Sequence, residues 1–213
     1  MRRIIALNIV ILIILVGGAF AGYYYFYQSA NYLKTDDAKI DGQMITIASP
    51  SAGKLADWNA KEGDAFKAGD TVGSIQIPPS NSEEKGKQMD VDMPAAATIV
   101  KQSAVKDTFV GAGRPLAQAF NLDDLWVTAN IDEVDIDDVE VGQSVDIYVD
   151  GYSDTTLTGK VEQIGLATAS TFSILPGSNN GDSSQVIPVK ISIDGYKGTR
   201  LVPGMGVTVR IDK

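Results

Sequence analysis

The densest set of side chains able to do chemistry is the acidic run Asp132, Glu133, Asp135, Asp137, Asp138 and Glu140. Carboxylates packed this closely could present oxygens to a hard cation such as calcium. The spacing does not suit the twelve-residue calcium loop, which needs a glycine at its sixth position and a bidentate glutamate at its twelfth. Apolar residues interleave at Ile131, Val134, Ile136, Val139 and Val141. The run therefore reads as a structured segment with a solvated acidic side.

Other reactive arrangements are weaker still. Gly111-Ala112-Gly113 is a bare Gly-x-Gly with no later glycine and no strand-to-helix setting, so it reads as a turn. No Gly-x-Ser-x-Gly, phosphate loop or zinc spacing occurs. The chain has no cysteine, hence no disulfide framework, thiolate ligand or thiol nucleophile. It has no histidine either, which removes the commonest general base and metal ligand. The net charge of −9 argues against binding nucleic acid phosphates. The expectation is a protein that is not an enzyme, with no catalytic, cofactor-binding or metal-binding residues.

What organises the chain is an interrupted repeat. A shift of about 44 residues superposes Pro50 on Pro94, Ala52 on Ala96, Ala60 on Ala104 and Gly69 on Gly113. Apolar positions fall together under the same shift: Leu55 with Ile99, Phe66 with Val110, Val72 with Leu116. Each half reads as short strands punctuated by Gly and Asp. Two such halves can face each other as a small sandwich, because neither buries its apolar face alone. The six apolar residues just paired are its expected core. Between the halves, residues 78–88 open with two prolines and lack apolar periodicity, so they read as a loop. Lys85 and Lys87 lie in it. Cofactor-carrier domains of similar shape acylate a lysine at such a tip, within Met-Lys-Met or Asp-Lys-Ala. The neighbours here, Glu84 to Gln88, match neither pattern.

Ahead of the repeat, Ile4 to Tyr27 carries no charge. As a helix of about 24 residues it would span roughly 36 Å, enough to cross a hydrocarbon core of about 30 Å. Tyr23 to Tyr27 form an aromatic cluster suited to the headgroup level. Arg2 and Arg3 precede the span and Asp36 and Asp37 follow it, which sets the N-terminus inside and the rest outside. The competing reading is a signal peptide cleaved after Ala19-Phe20-Ala21, but apolar character continues past that point. Residues 28–43 read as an extended polar linker.

Beyond the repeat, Asn121-Leu122-Asp123-Asp124 reads as a turn and a domain boundary. The segments 125–131, 144–149, 156–164, 186–193 and 205–211 are rich in Val, Ile and Thr and bounded by turn residues. Such strands suggest a small antiparallel barrel. Thr171, Phe172, Ser173, Ile174, Leu175 and Pro176 form an apolar strip in a loop-rich region. By exposed-apolar logic they are a candidate docking strip. The expected layout is an N-terminus over 1–3, a transmembrane helix over 4–27, the linker over 28–43, the sandwich over 44–120 and the barrel over 121–213. The fold class is all-β with one N-terminal helix.

Taken together, the order of motifs resembles the HlyD-type membrane fusion proteins, the adaptor subunits of efflux and export pumps. The likeness rests on Thr35-Asp36-Asp37-Ala38, the split sandwich, Leu125 to Asn130, Val141-Gly142-Gln143-Ser144-Val145 and Thr158-Gly159-Lys160-Val161. Thr171 to Pro176, Val186 to Ile191 and Leu201 to Met205 are similar to the EmrA branch. The resemblance implies a lipoyl-like sandwich and a β-barrel, in an adaptor that docks on a polytopic exporter and assembles into a homo-oligomeric ring. It favours a major-facilitator exporter, with an ABC transporter as the other option. Gram-negative relatives insert a long α-helical hairpin between the half-repeats. Here about 11 residues stand in its place and project only some 20 Å, too little to bridge a periplasm. A single-membrane, Gram-positive cell is the expected setting, with the protein in the cell membrane. The rival of another class is an anchored extracellular module that binds a ligand or cell-wall component without a transporter.

Overall fold

Glycine, proline and aspartate recur with the apolar positions of the repeat, and the backbone follows that punctuation. The computed structural model describes residues 11–20, 22–23, 31–79, 86–152, 155–168, 185–196 and 199–213. Its strands are β1 (Tyr32–Ala48), β2 (Gly53–Trp58), β3 (Ala65–Phe66), β4 (Thr71–Ile77), β5 (Lys87–Asp92) and β6 (Ala97–Gln102). There follow β7 (Phe109–Val110), β8 (Pro115–Asp132), β9 (Ser144–Val149), β10 (Thr156–Ile164), β11 (Val186–Ser192) and β12 (Gly206–Asp212). They form two units. One collects Met1–Lys39, Val127–Gly198 and Met205–Lys213; the other collects Ile40–Trp126 and Thr199–Gly204.

In the second unit the repeat is realised residue for residue. The same shift carries β2 onto β6, β3 onto β7, and the start of β4 at Thr71 onto the start of β8 at Pro115. It also carries the pairing pattern. Gly53 and Lys54 pair with Val110 and Phe109, while Ala97 and Thr98 pair with Phe66 and Ala65. Hydrogen bonds repeat as well. The Gly63 N–H donates to the Ile99 carbonyl as the Asp107 N–H donates to that of Leu55, both at 2.8 Å. The Gly69 N–H reaches the Met93 carbonyl as the Gly113 N–H reaches that of Ser49, again both at 2.8 Å. Each half thus lends a short strand to the other, so neither completes its ladders alone. Leu55, Val72, Ile99, Val110 and Leu116 are buried in one cluster, and Phe66 packs against it half-buried. The expected core is the observed one.

In the first unit a ring of six strands runs β1-β12-β9-β10-β11-β8 and closes by pairing β1 with β8. Inward residues alternate with outward ones, as on β9, where Val145, Ile147 and Val149 are buried between exposed or half-buried neighbours. The Thr35-Asp36-Asp37-Ala38 motif sits at the seam. The register of β1 against β12 shifts between Thr35 and Ala38. There the Thr35 hydroxyl donates to the Asn130 carbonyl at 3.1 Å, and the Asn130 amide donates to the Asp37 carboxylate at 3.0 Å. Side chains of β1 and β8 are thereby tied across the closure.

Three expectations need correction. Residues 32–43 are not a linker but the first part of β1, hydrogen-bonded to β12 and burying Ala38 and Ile40. Its polar appearance comes from Asp36, Asp37, Lys39 and Asp41, which lie on the outward side or on the bulge. Asn121–Asp124 is not a turn but lies within β8. The misleading signal is local: the Asn121 carboxamide oxygen accepts the Asp123 N–H at 3.1 Å while the strand continues. The loop over 78–88 ends early, because Lys87 and Gln88 open β5 and pair with Ile77 and Gln76. Only Val91 of β5 is buried, too little apolar character to read as a strand.

Residues 11–20 and 22–23 are helical, with Ile11 to Val16, Phe20 and Tyr23 exposed. Among the described residues no helix is long and apolar enough to cross a membrane. Much of the expected span over 4–27 lies outside the described residues.

Candidate interaction site

The expected strip Thr171–Pro176 lies outside the described residues. Its flanks are described. Gly165, just past β10, donates its N–H to the Pro188 carbonyl at 2.8 Å, and Glu133, just past β8, donates to the Gln185 carbonyl at 2.9 Å. The ends of β8 and β10 and the start of β11 therefore share one end of the barrel.

The same end gathers four further features. The start of β1 lies there, since Tyr32 pairs with Asp212 and the Lys213 N–H donates to the Asn31 carbonyl at 2.9 Å. The start of β9 lies there too, since Ser144 pairs with Lys160. Between β8 and β9 the acidic segment crosses this end through a short 3-10 turn, Ile136–Asp138. Val139 is buried and anchors it. The Gln143 side chain holds it, accepting the Glu140 N–H at 2.9 Å and donating to the Asp138 carbonyl at 3.1 Å. Lys213 pairs with the Asp138 carboxylate at 2.6 Å. Finally, three apolar side chains project outward: Val134 is 88% exposed, Val141 65% and Leu166 fully so.

The sequence reads 132–140 as a structured segment with a solvated acidic side, and its interleaved apolar residues do not share one environment. The structure divides them: Ile131 and Val139 are buried, whereas Val134 and Val141 face outward. No periodicity could sort them, because a 3-10 turn interrupts the segment. Among the described residues, no three acidic side chains converge as metal ligands would.

On the barrel wall, Arg210 forms an ion pair with Asp146 and lies over the Tyr32 ring, 4.6 Å from its centroid, with the Tyr148 ring 6.0 Å away. The Asp146 hydrogen bond raises the Arg210 pKa further above its ordinary value. The residue stays charged at any working pH, so the stack is a structural tie between β1, β12 and β9. In the sandwich, exposed ion pairs join Lys106 to Asp57 at 2.9 Å and Lys54 to Asp107 at 2.6 Å. Hydrogen bonds from the lysines hold both carboxyls below their ordinary range. Gly111 and Gly113 flank a turn; Gly113 has φ +76°, as its counterpart Gly69 has φ +84°. Lys87 stands in a paired strand.

Comparison with known proteins follows these two units. The family model of the YhbJ barrel-sandwich hybrid domain matches residues 43–121, and that of the YknX-like β-barrel domain matches residues 125–211. YhbJ of Bacillus subtilis (strain 168), a candidate efflux system component by its name, is 45% identical over 216 residues, covering 99% of this chain and 93% of YhbJ. The chain belongs to the HlyD-type membrane fusion proteins. The colistin resistance protein EmrA of Acinetobacter baumannii is 39% identical over 93 residues, 41% of this membrane fusion protein and 26% of EmrA. The crystal structure of ZneB from Cupriavidus metallidurans shares the fold with a TM-score of 0.62 at 19% identity, over 86% of this chain and 99% of that one. In this membrane fusion protein the family motifs have structural duties: Thr35 to Ala38 seals the barrel, and Gly142-Gln143 fixes the acidic segment.

Proposed function

We propose that this chain is the adaptor subunit of an export system, held in the cell membrane by the apolar helix, N-terminus inside, with both β units outside. Its partner is a polytopic exporter, of the major-facilitator type in preference to the ABC type, and several copies surround the exit path. The work is geometric. An anchored domain is confined near the membrane plane, so docking is effectively intramolecular and needs little affinity per contact. The observation that carries the reading is the placement of the β1 start, the acidic segment and the exposed apolar residues at one barrel end. The chain arrives from the helix at the end best suited to contact a membrane partner. Only residues 78–86 separate β4 from β5, too few to reach a second membrane even if fully extended. That supports a cell with one membrane.

The experiment is purification of the tagged full chain from membranes of its own cells. A polytopic exporter should accompany it in near-stoichiometric amount. Purification without any exporter would leave the anchored binding module as the better reading. Within the same proposal Thr171 to Pro176 contribute to docking. Replacing Phe172→Ser and Ile174→Ser should lower the exporter recovered several-fold at unchanged melting temperature; unchanged recovery would remove the strip.

A further inference from the structure

Val134, Val141 and Leu166 are large enough to bury, yet the fold leaves all three in solvent. They sit at the turns after β8, before β9 and after β10, so they share one barrel end rather than being scattered over the surface. Exposed apolar residues gathered in one place mark a contact surface. Around them the segment 132–141 carries six carboxylates and no cation. Two nearby cations are engaged, Lys213 with Asp138 at 2.6 Å and Lys190 with Glu162 at 3.1 Å, and Lys160, opposite Ser144, adds one exposed positive charge against the six carboxylates. The surface is therefore apolar knobs within an acidic rim.

Three occupants can be weighed by charge. A bilayer with anionic headgroups repels such a rim. A second copy set end to end would bring the same carboxylates against their like, which is unfavourable for an isologous contact. A protein surface with an apolar centre and basic edges is matched in both respects. Position narrows the choice again. From Tyr23 at the end of the described helix to Asn31 at the barrel end is eight residues, a reach of at most about 28 Å. An anchored helix would hold this end in the layer just above the membrane.

We infer that Val134, Val141 and Leu166, with the rim of Glu133, Asp137 and Glu140, form the docking face for basic extramembrane loops of the partner exporter. The inference rests on the adaptor reading above. Its test uses the full chain in its own cells, with a photo-crosslinking amino acid placed singly at Val134, Val141 or Leu166. A control position is Thr156, exposed at the opposite end of β10. The three positions should give adducts to one polytopic exporter at least tenfold above the control. In the second arm Glu133→Lys, Asp137→Lys and Glu140→Lys together should cut those adducts, and co-purified exporter, at least tenfold without changing the melting temperature. Adducts to lipid or to another copy, or equal exporter adducts from Thr156, would overturn the docking face. So would full recovery by the charge-reversed variant. These outcomes are separable from failure of the adaptor reading itself, in which the unsubstituted chain captures no exporter and both ideas fall.

Discussion

Leu55→Ala and Ile99→Ala should each cost about 2–5 kcal/mol, and the two costs should agree to within about 1 kcal/mol. Both side chains are fully buried in the same cluster. They occupy equivalent sites: the Leu55 N–H donates to the Thr108 carbonyl and the Ile99 N–H to the Asp64 carbonyl, each at 2.9 Å. Truncating either removes the same kind of contact from the same kind of cavity wall. Each loss is a large share of the roughly 5–15 kcal/mol that holds an ordinary domain together. Leu166→Ala, at an exposed site, should change stability by no more than about 0.5 kcal/mol. Urea unfolding of the full chain in detergent, followed by Trp58 fluorescence in a Trp126→Phe background, measures all three. Costs differing by several kcal/mol between Leu55 and Ile99 would show that the matched backbones do not carry matched energetics.

The repeat was legible because it is written in residues with narrow conformational uses. Gly69 and Gly113 are needed at positive φ, and Pro50 and Pro94 open equivalent bends, so a common shift is visible even where identities are few. Asp107 stands where Gly63 stands in the other half, at φ +68° against +94°, and that equivalence is hidden in the sequence. Aspartate tolerates the left-handed region, but nothing local announces that it must. The barrel strands β9 and β10 were legible for another reason. Strict alternation of apolar residues over 144–149 and 156–161 fixes both period and face. What escaped notice was pairing between distant segments. The polar start of β1 is a strand only because β12, far along the chain, supplies its partners. The docking face escaped notice for the converse reason. Val134 and Val141 look like core residues by type, and only the three-dimensional path of the acidic segment turns them outward.

Gly159→Ala should be the most damaging one-carbon change in the barrel, costing about 3 kcal/mol or more. A Cβ at Gly159 would overlap the Ser192 carbonyl oxygen and lie 3.3 Å from Ile147 Cδ1. The first obstacle is backbone, so no rotamer change relieves it. That backbone is also pinned. The Lys160 N–H donates to the Ser192 hydroxyl at 3.0 Å, and the Asp194 N–H donates to the Thr158 carbonyl at 2.7 Å. Moving β11 away to admit a methyl group would break these bonds and open the ring between β10 and β11. Gly151→Ala is the control: its Cβ would meet only the mobile end of Met205, at 3.1 Å, and should cost less than about 1 kcal/mol. Limited proteolysis with mass mapping distinguishes local from global damage. In Gly159→Ala, cuts should appear within 144–193 while the sandwich strands between 53 and 116 stay protected, because the two units have separate cores. Wild-type protection of the barrel in this variant would mean that the approach of β10 to Ser192 is not a fixed feature of the native state. The same variant bears on export. If the barrel is the part that meets the exporter, opening it should abolish co-purification even though the sandwich and the apolar helix are untouched.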